Sequence, residues 1–392
     1  MQTLSTEQAK IIGSIAVWLK NYEKDKKEQF LTIGGYAGTG KTTLLSALRQ
    51  ILHQNRPAMR IGFAAYTGKA TQVLKSKLKT RKTLLRGDSV STLHSLLYFS
   101  EAKKDGAVSW RKRDELKLDL IIIDEASMVS EELWKDLLSF GLPVIAVGDH
   151  GQLPPINSNF SLMENPHLRL EQIWRQARDS PIIAVATMAR TTGQIPIEDY
   201  GMGVQKLDQA DPQTGDIIED IFSAYTSDTM VLCGYNNTRQ KINGHIRELK
   251  GFESPEPLRN DVIVCLRNSR TSGLNNGQIG IIEAIIPADD DEDELWYYIV
   301  ADFDGQKFEG YALREQFGAQ TTITRPPQRP KNDITGLFDF GYCLTVHKAQ
   351  GSQAKKVLIF EERFARMTQD EWQRWLYTAV TRAQQELYIV GH

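Results

Sequence analysis

Cysteine is scarce in this 392-residue chain. Cys233, Cys265 and Cys343 stand far apart and never at Cys-x-x-Cys spacing. That pattern argues against a disulfide framework or structural zinc and makes a reducing, cytoplasmic compartment the expectation. Long apolar runs are missing too: none approaches the ~18 residues of a membrane-spanning helix. The N-terminus lacks a basic-then-apolar leader pattern, so export is not expected. Net charge is nearly absent, with 47 basic against 49 acidic side chains and a formal balance of -2. Any polyanion site must therefore come from local clustering. No internal repeat at a period of about 20–50 residues is present, which excludes solenoids and propellers. The composition, 24% charged and 41% hydrophobic, is that of an ordinary globular protein. At ~150 residues per domain, the length suggests two or three domains.

The first half alternates apolar runs with helical patterns. Phe30–Gly34, Arg60–Ala65, Leu118–Asp124 and Pro143–Gly148 read as strands, and Thr42–Gln54 and Ser130–Leu138 as helices. The apolar runs are continuous, as buried parallel strands require. Together they predict a doubly wound α/β domain over residues 1–170, with a short insertion at about 86–115. A second α/β set follows over 171–252 and 333–392. Its strands are Met230–Gly234, Tyr342–Val346, Lys356–Phe360 and Glu386–Val390, and its helices Thr238–Leu249 and Asp370–Arg382. Between them, residues 253–332 change texture. Short β-rich runs (Val262–Leu266, Ile279–Ile286, Trp296–Asp302) are separated by turn signals such as Asn275-Asn276-Gly277 and Asp304-Gly305. This predicts a small inserted antiparallel barrel, with Pro326, Pro327 and Pro330 marking its exit. The acidic run Asp289–Glu294 reads as a solvated hairpin tip. A basic run from Lys69 to Arg86 contains no acid; by itself it reads as a solvated helix face.

Chemistry enters with Gly35-Tyr36-Ala37-Gly38-Thr39-Gly40-Lys41-Thr42, a match to the phosphate loop G-x-x-x-x-G-K-[ST] between an apolar run and a helical one. Its glycines let backbone N–H groups curl round phosphate oxygens at a helix N-terminus. Lys41 is expected to reach the β/γ-phosphates of ATP, and Thr42 to ligate Mg²⁺. Asp124-Glu125 closes the run Leu118-Asp119-Leu120-Ile121-Ile122-Ile123. Acids at a buried strand end are costly unless they meet a cation. Asp124 is thus expected to hold Mg²⁺ with Thr42, and Glu125 to orient and deprotonate the attacking water. The two motifs predict nucleotide hydrolysis. A P-loop kinase would also show a phosphate loop but would not explain the second α/β set.

Read in order, the remaining motifs resemble those of a superfamily 1 DNA helicase of the RecD-like subclass, over nearly the whole chain. The resemblance implies two RecA-like P-loop domains with parallel sheets, the small β-barrel and a hairpin insertion. Leu4-Ser5-Thr6-Glu7-Gln8 is similar to the family's N-terminal glutamine motif, whose carboxamide reads adenine. With it, Gly35, Gly38, Thr39, Gly40, Lys41, Thr42, Thr43 and Gly351 are assigned to nucleotide binding. Thr67-Gly68-Lys69 and Thr92 with His94 resemble the single-strand contacts of the first domain, and Thr345, His347 and Lys348 those of the second. The basic run lies between the first two. Val147–Pro155 resembles the motif joining the two sites, with Gln152 sensing the γ-phosphate. Leu170–Gln176 resembles the motif whose arginine reaches the γ-phosphate, here Arg175. Trp375–Ala383 resembles the last motif, whose Arg382 is an arginine finger.

Lys41 and Arg382 lie in different α/β sets, so a composite site implies a cleft between two domains. The implied activity is ATP-dependent translocation on single-stranded DNA, 5′ to 3′ by resemblance, with unwinding in replication, recombination or repair. Single-stranded and forked DNA are the implied partners of a monomer, with single-strand-binding or replisome proteins besides, and no membrane. A translocase that strips proteins or remodels forks is an alternative, as is a non-catalytic subunit of a recombination complex; intact Lys41, Glu125 and Arg382 argue against the latter. RNA as the track stays open, because phosphate-directed contacts barely distinguish sugars. Tyr98, Phe99 and Trp110 in the segment Ser91–Trp110 are candidates for a strand-separating wedge. His53, His167 and His245 read as surface or packing residues, and Trp18, Tyr22 and Phe30 as core. Tyr66 stands where many relatives carry proline.

Overall fold

The computed structural model describes residues 4–102, 108–154, 160–173, 179–267, 272, 274, 276–287, 294–303, 305–327, 329 and 333–392, with backbone alone at 100–102, 108–110 and 287. The chain divides into two compact units, Met1–Phe99 with Arg111–Arg190, and Ser100–Trp110 with Thr191–His392.

The first unit opens with α1 (Thr6–Asp25). Its Ser5 N-cap and Gln8 form a reciprocal capping box, which satisfies N–H groups that the first turn leaves open. Ile11, Ile12, Ile15, Trp18, Leu19 and Tyr22 recur at helical spacing and are buried. Phe30, grouped with them in the sequence reading, is only half-buried. Six parallel strands form the sheet: β1 (Phe30–Gly35), β2 (Ile61–Ala65), β3 (Ser89–Thr92), β6 (Leu120–Asp124), β7 (Val144–Gly148) and β8 (Leu168–Leu170). Their order is β3-β2-β6-β7-β1-β8. Leu120 to Ile123 are all 0% exposed, as a central parallel strand covered on both faces requires. Truncating one of them to alanine would cost ~2–5 kcal/mol. The helices α2 (Lys41–Asn55), α3 (Gly68–Thr80), α4 (Leu93–Leu97), α5 (Glu131–Leu138) and α6 (Pro181–Thr191) complete the unit. It therefore runs past residue 170, and Arg190 near the end of α6 packs on the phosphate loop. The expected insertion is a two-stranded hairpin, β4 (Tyr98–Ala102) with β5 (Val108–Lys112).

The second unit holds two sheets. One takes β9 (Asp199–Gly201), β10 (Val204–Asp208), β11 (Thr229–Cys233), β18 (Cys343–Thr345), β19 (Ala354–Phe360) and β20 (Ala383–Gly391), in the order β18-β11-β19-β20-β10-β9. All neighbours are parallel except β9 with β10. Its helices are α7 (Pro212–Ser223), α8 (Asn236–Leu249) and α9 (Gln369–Val380). The other sheet takes β12 (Val262–Cys265), β13 (Ile279–Pro287), β14 (Trp296–Phe303), β15 (Gln306–Leu313), β16 (Thr335–Gly336) and β17 (Phe338–Phe340), in the order β16-β15-β14-β13-β12-β17. Its edge strands β16 and β17 are two halves of one segment separated only by Leu337. The sheet must curl until its edges nearly meet, which makes it a near-closed barrel. That segment lies past the prolines at which the sequence pattern ends the barrel. The side chain of Phe338 explains the extension: it is fully buried in the barrel core with Phe303 and Phe308.

The barrel is wired to the α/β sheet beside it. Arg247 on α8 makes a two-pronged ion pair with Asp261 at 2.9 and 3.0 Å, and Tyr342 donates to the same carboxylate. Arg239 on α8 pairs with Asp339 of β17 at 2.7 Å. These groups are buried, so each pair matters less for net stability than for the penalty of breaking it. Among the described residues no helix is long and apolar enough to cross a membrane, and no group of three or more His, Cys, Asp or Glu could hold a metal.

Candidate nucleotide and strand-binding site

In a parallel sheet, every strand delivers its C-terminal residue to the same edge. Along that edge of the first unit lie, in order, the ends of β3 and β2, β6 and β7, and β1. The expected strand-contacting motifs (Thr92, Thr67) thus stand beside the acid pair, and that pair beside the phosphate loop. This is the edge at which open α/β sheets bind ligands.

The loop between β1 and α2 needs glycine at Gly38 (φ 79°) and Gly40 (φ 81°), both left-handed. Thr39 is buried and its hydroxyl donates to Tyr36 O at 2.7 Å, bracing the loop from within. Lys41 Nζ donates to Gly35 O at 2.6 Å and Tyr36 O at 3.2 Å and lies 3.5 Å from Asp149 Oδ2. Its charge is thus held over the cradle by carbonyls and one carboxylate. Thr42 and Thr43 are half-buried in the first turn of α2. Gln8 is fully buried: Oε1 accepts Ser5 N–H at 3.1 Å, and Nε2 donates to Gly40 O at 3.3 Å. The carboxamide therefore ties α1 to the phosphate loop.

Asp124 and Glu125 follow at the end of β6. Burial and the neighbouring Glu125 carboxylate push the Asp124 carboxyl up to about 6, against the opposing pull of Lys41. Glu125 sits at φ 55°, a left-handed conformation that costs a non-glycine residue of order 1–3 kcal/mol and marks functional sites. Its Oε2 is buried with no hydrogen-bond partner among the described residues. Two carboxylates at a buried strand end form a hard-oxygen donor set short of positive charge, so Asp124 with Thr42 fits Mg²⁺.

After β7, Asp149 is 1% exposed and accepts Gly151 N–H at 3.0 Å and Gln152 Nε2 at 3.4 Å. It joins Lys41 to Gln152, which is itself buried. Two neighbours were not anticipated from sequence. The Tyr36 ring packs on His150 at 4.0 Å between centroids, and the Arg190 guanidinium stacks over Tyr36 at 3.7 Å. No motif marks Arg190; only an aromatic inside the phosphate loop hinted at a stacking partner. Arg175 lies outside the described residues. The backbone leading to it is anchored where Glu171 and Gln172 N–H groups donate to the Glu7 carboxylate at 3.1 to 3.2 Å.

Thr92 ends β3 and Thr67 follows the end of the adjacent β2, whose Ala65 pairs with Thr92. Both are N-caps: Thr67 Oγ1 accepts Ala70 N–H at 3.2 Å, and Thr92 Oγ1 accepts Ser95 N–H at 3.1 Å. Gly68 and Lys69 open α3. His94 packs its ring on Tyr98 at 4.6 Å. Tyr98 donates to Asp136 of α5, and Arg113 lies over Phe99 at 5.8 Å. Tyr98 is thus tied to the body of the unit. The side chain of Trp110 lies outside the described residues.

In the second unit, Thr345 ends β18, and a helical turn follows, with Lys348 and Ala349 N–H groups donating to Thr345 O. Asn243 of α8 clamps the strand before it: Nδ2 donates to Cys343 O at 3.2 Å, and Oδ1 accepts Cys343 N–H at 2.9 Å. Burial holds His347 below its usual range. Burial and Arg239 bring Lys348 down to about 8. The barrel turn meets this loop at Gly277 (φ 83°), where a Cβ would stand 2.8 Å from Lys348 O. Gly351 closes the loop at φ 75°. Arg382, 3% exposed, donates to Thr378 O, Ser352 O and Thr381 Oγ1 at 2.9 to 3.1 Å, beside Gly351 and within its own unit.

The chain is similar to known proteins over nearly its whole length. The AAA-domain family model matches residues 4–211, more than half the chain, and the UvrD-like helicase C-terminal domain matches 340–390. An ATP-dependent RecD2 DNA helicase of Deinococcus radiodurans is 26% identical over 99% of this chain and 49% of its own length. The helicase dda of Enterobacteria phage T4 is 29% identical over 66% of this chain and 64% of its own. The chain therefore spans about half to two thirds of these relatives. A solved Pif1 helicase structure, described for unwinding at forked double-stranded DNA, shares the fold with TM-score 0.52 and 20% identity, covering 99% of this chain and 92% of that one. The chain belongs to the AAA-domain family, in the RecD-like branch of the superfamily 1 helicases.

Proposed function

We propose that the protein is an ATP-driven motor that moves on single-stranded DNA and unwinds duplex. The observation that carries this reading is the single sheet edge on which phosphate loop, acid pair and strand-contact motifs stand side by side. ATP binds on Lys41, Thr42 and the loop N–H groups. Mg²⁺, held by Thr42 and Asp124, supplies charge neutralisation at the phosphate oxygens. Glu125 orients the attacking water and takes its proton. Gln152, Arg175 and Arg382 stabilise charge on the transferring phosphoryl group.

Binding of ATP and loss of its γ-phosphate shift the populations of strand-gripping states. Thr67, Lys69, Thr92 and His94 grip the strand on one unit, and Thr345, His347 and Lys348 on the other. Alternating grip moves the protein along the strand, 5′ to 3′ by family likeness. The test is ATP hydrolysis with and without single-stranded DNA, then unwinding of forks carrying only a 5′ or only a 3′ tail. Strong stimulation and unwinding from the 5′ tail are expected. Absence of stimulation defeats the motor reading; stimulation without unwinding leaves a stripping translocase.

A further inference from the structure

No residue of the basic run Lys69–Arg86 is assigned to hydrolysis above, and Lys77 acts on the acid pair only by drawing the Asp124 carboxyl down. On α3 the core is met by Thr71, Leu74 and Leu78. Lys75, Lys77 and Lys79 are exposed, as are Lys82 and Arg86 beyond it. None of these five forms an ion pair among the described residues. Exposed cations elsewhere do, as in Lys135–Glu131, Lys307–Glu283 and Lys355–Asp228. Lys75 and Lys79, one turn apart on the same side, repel each other with no acid between them. The helix begins at the strand motif Thr67-Gly68-Lys69 and carries positive charge for roughly 20 Å at 1.5 Å per residue. Where it ends, a groove of about 370 Å³ opens against α2. Ile51 and Leu85 give the groove apolar surface, and Gln50, His53, Gln54 and Lys82 give it polar groups.

Unpaired cations leading from a strand motif to a concave surface with apolar and amide groups suit one ligand chemistry: phosphates on the lysines and an unpaired base in the groove. A duplex would offer the phosphates but keep its bases stacked. We propose that the α3 lysines and this groove form a second single-stranded nucleic-acid track, continuous with the contact at Thr67–Lys69. The proposal rests on the motor reading and extends it to a surface outside the motifs.

The test is binding of oligodeoxythymidylates of about 8 and about 20 nucleotides across a salt series, with wild type, K75E/K79E/K82E and K75Q/K79Q/K82Q, each checked for unchanged melting. Both variants are expected to lose ~10-fold or more on the long strand, with the log–log salt slope reduced by about 2, three contacts at ~0.7 each. Short-strand binding and basal ATP hydrolysis should not change. An unchanged slope and affinity on the long strand would overturn the proposal, as would a loss seen only with blunt duplex. Failure of wild-type hydrolysis to respond to DNA would instead defeat the motor reading itself.

Discussion

The expected site residues of the two units stand under opposite electrostatic conditions. In the first, Asp124 and Glu125 repel each other, Glu125 is backbone-strained and one of its oxygens has no partner among the described residues. In the second, Arg382 donates to three acceptors of its own unit, and Asn243 clamps the strand that leads to the Thr345–Gly351 loop. In the first unit the pull of Lys41 only partly offsets the burial and mutual repulsion of the acid pair. In the second, the Arg382 guanidinium is already held by acceptors of its own unit.

The largest break in that contrast is Lys41→Ala, expected to abolish ATP hydrolysis, a loss of ~10³-fold or more, while the second unit stays folded by circular dichroism. Hydrolysis at the wild-type rate would mean the site is misassigned. Next is Arg382→Ala, where a steady-state assay should show a drop of ~10³-fold in turnover with nucleotide affinity nearly kept. Turnover within a few-fold of wild type would leave Arg382 a structural residue only. Arg247→Ala should act on stability instead. It strands the buried Asp261 carboxylate at a cost of ~3–5 kcal/mol, read as a lower melting temperature, with the phosphate loop still binding nucleotide.

A smaller effect sharpens the comparison through pH. Lys348 sits at about 8 rather than the ordinary 10.5. Its charged form is disfavoured by the fold, so this penalty is fully present below about 8 and relieved as pH rises toward 10.5. A DNA phosphate favours the charged form. Strand affinity should therefore fall as pH rises through 8 to 9, with proton uptake on binding, and Lys348→Arg should flatten the dependence. A flat wild-type profile would remove Lys348 from the phosphate contacts. The least effect is expected for Tyr98→Phe, about 1 kcal/mol from losing its bond to Asp136. Unwinding should survive, since that ring is held inward.

Much of this was legible beforehand. The buried strands of both α/β sheets read as continuous apolar runs, because a strand covered on both faces has no polar side to reveal. The phosphate loop and acid pair were legible because their chemistry demands particular residues at adjacent positions. The barrel's closure was not, because β16 and β17 are two and three residues long, too short for any periodicity. Nor was the stack of Arg190 on Tyr36, whose partners lie 154 positions apart on separate elements. Nor did the sequence show that the Gln8 amide bonds both the helix cap and the phosphate loop.

Local sequence determined the elements, the cradle and the candidates for the reacting groups, since each depends on neighbours within a turn or a strand. Tertiary structure alone decided which strand ends share an edge, which carboxylates are left short of counter-charge and which arginines are already satisfied. Those outcomes depend on burial and on distances between residues remote in the chain, and both come into existence only when the sheets form.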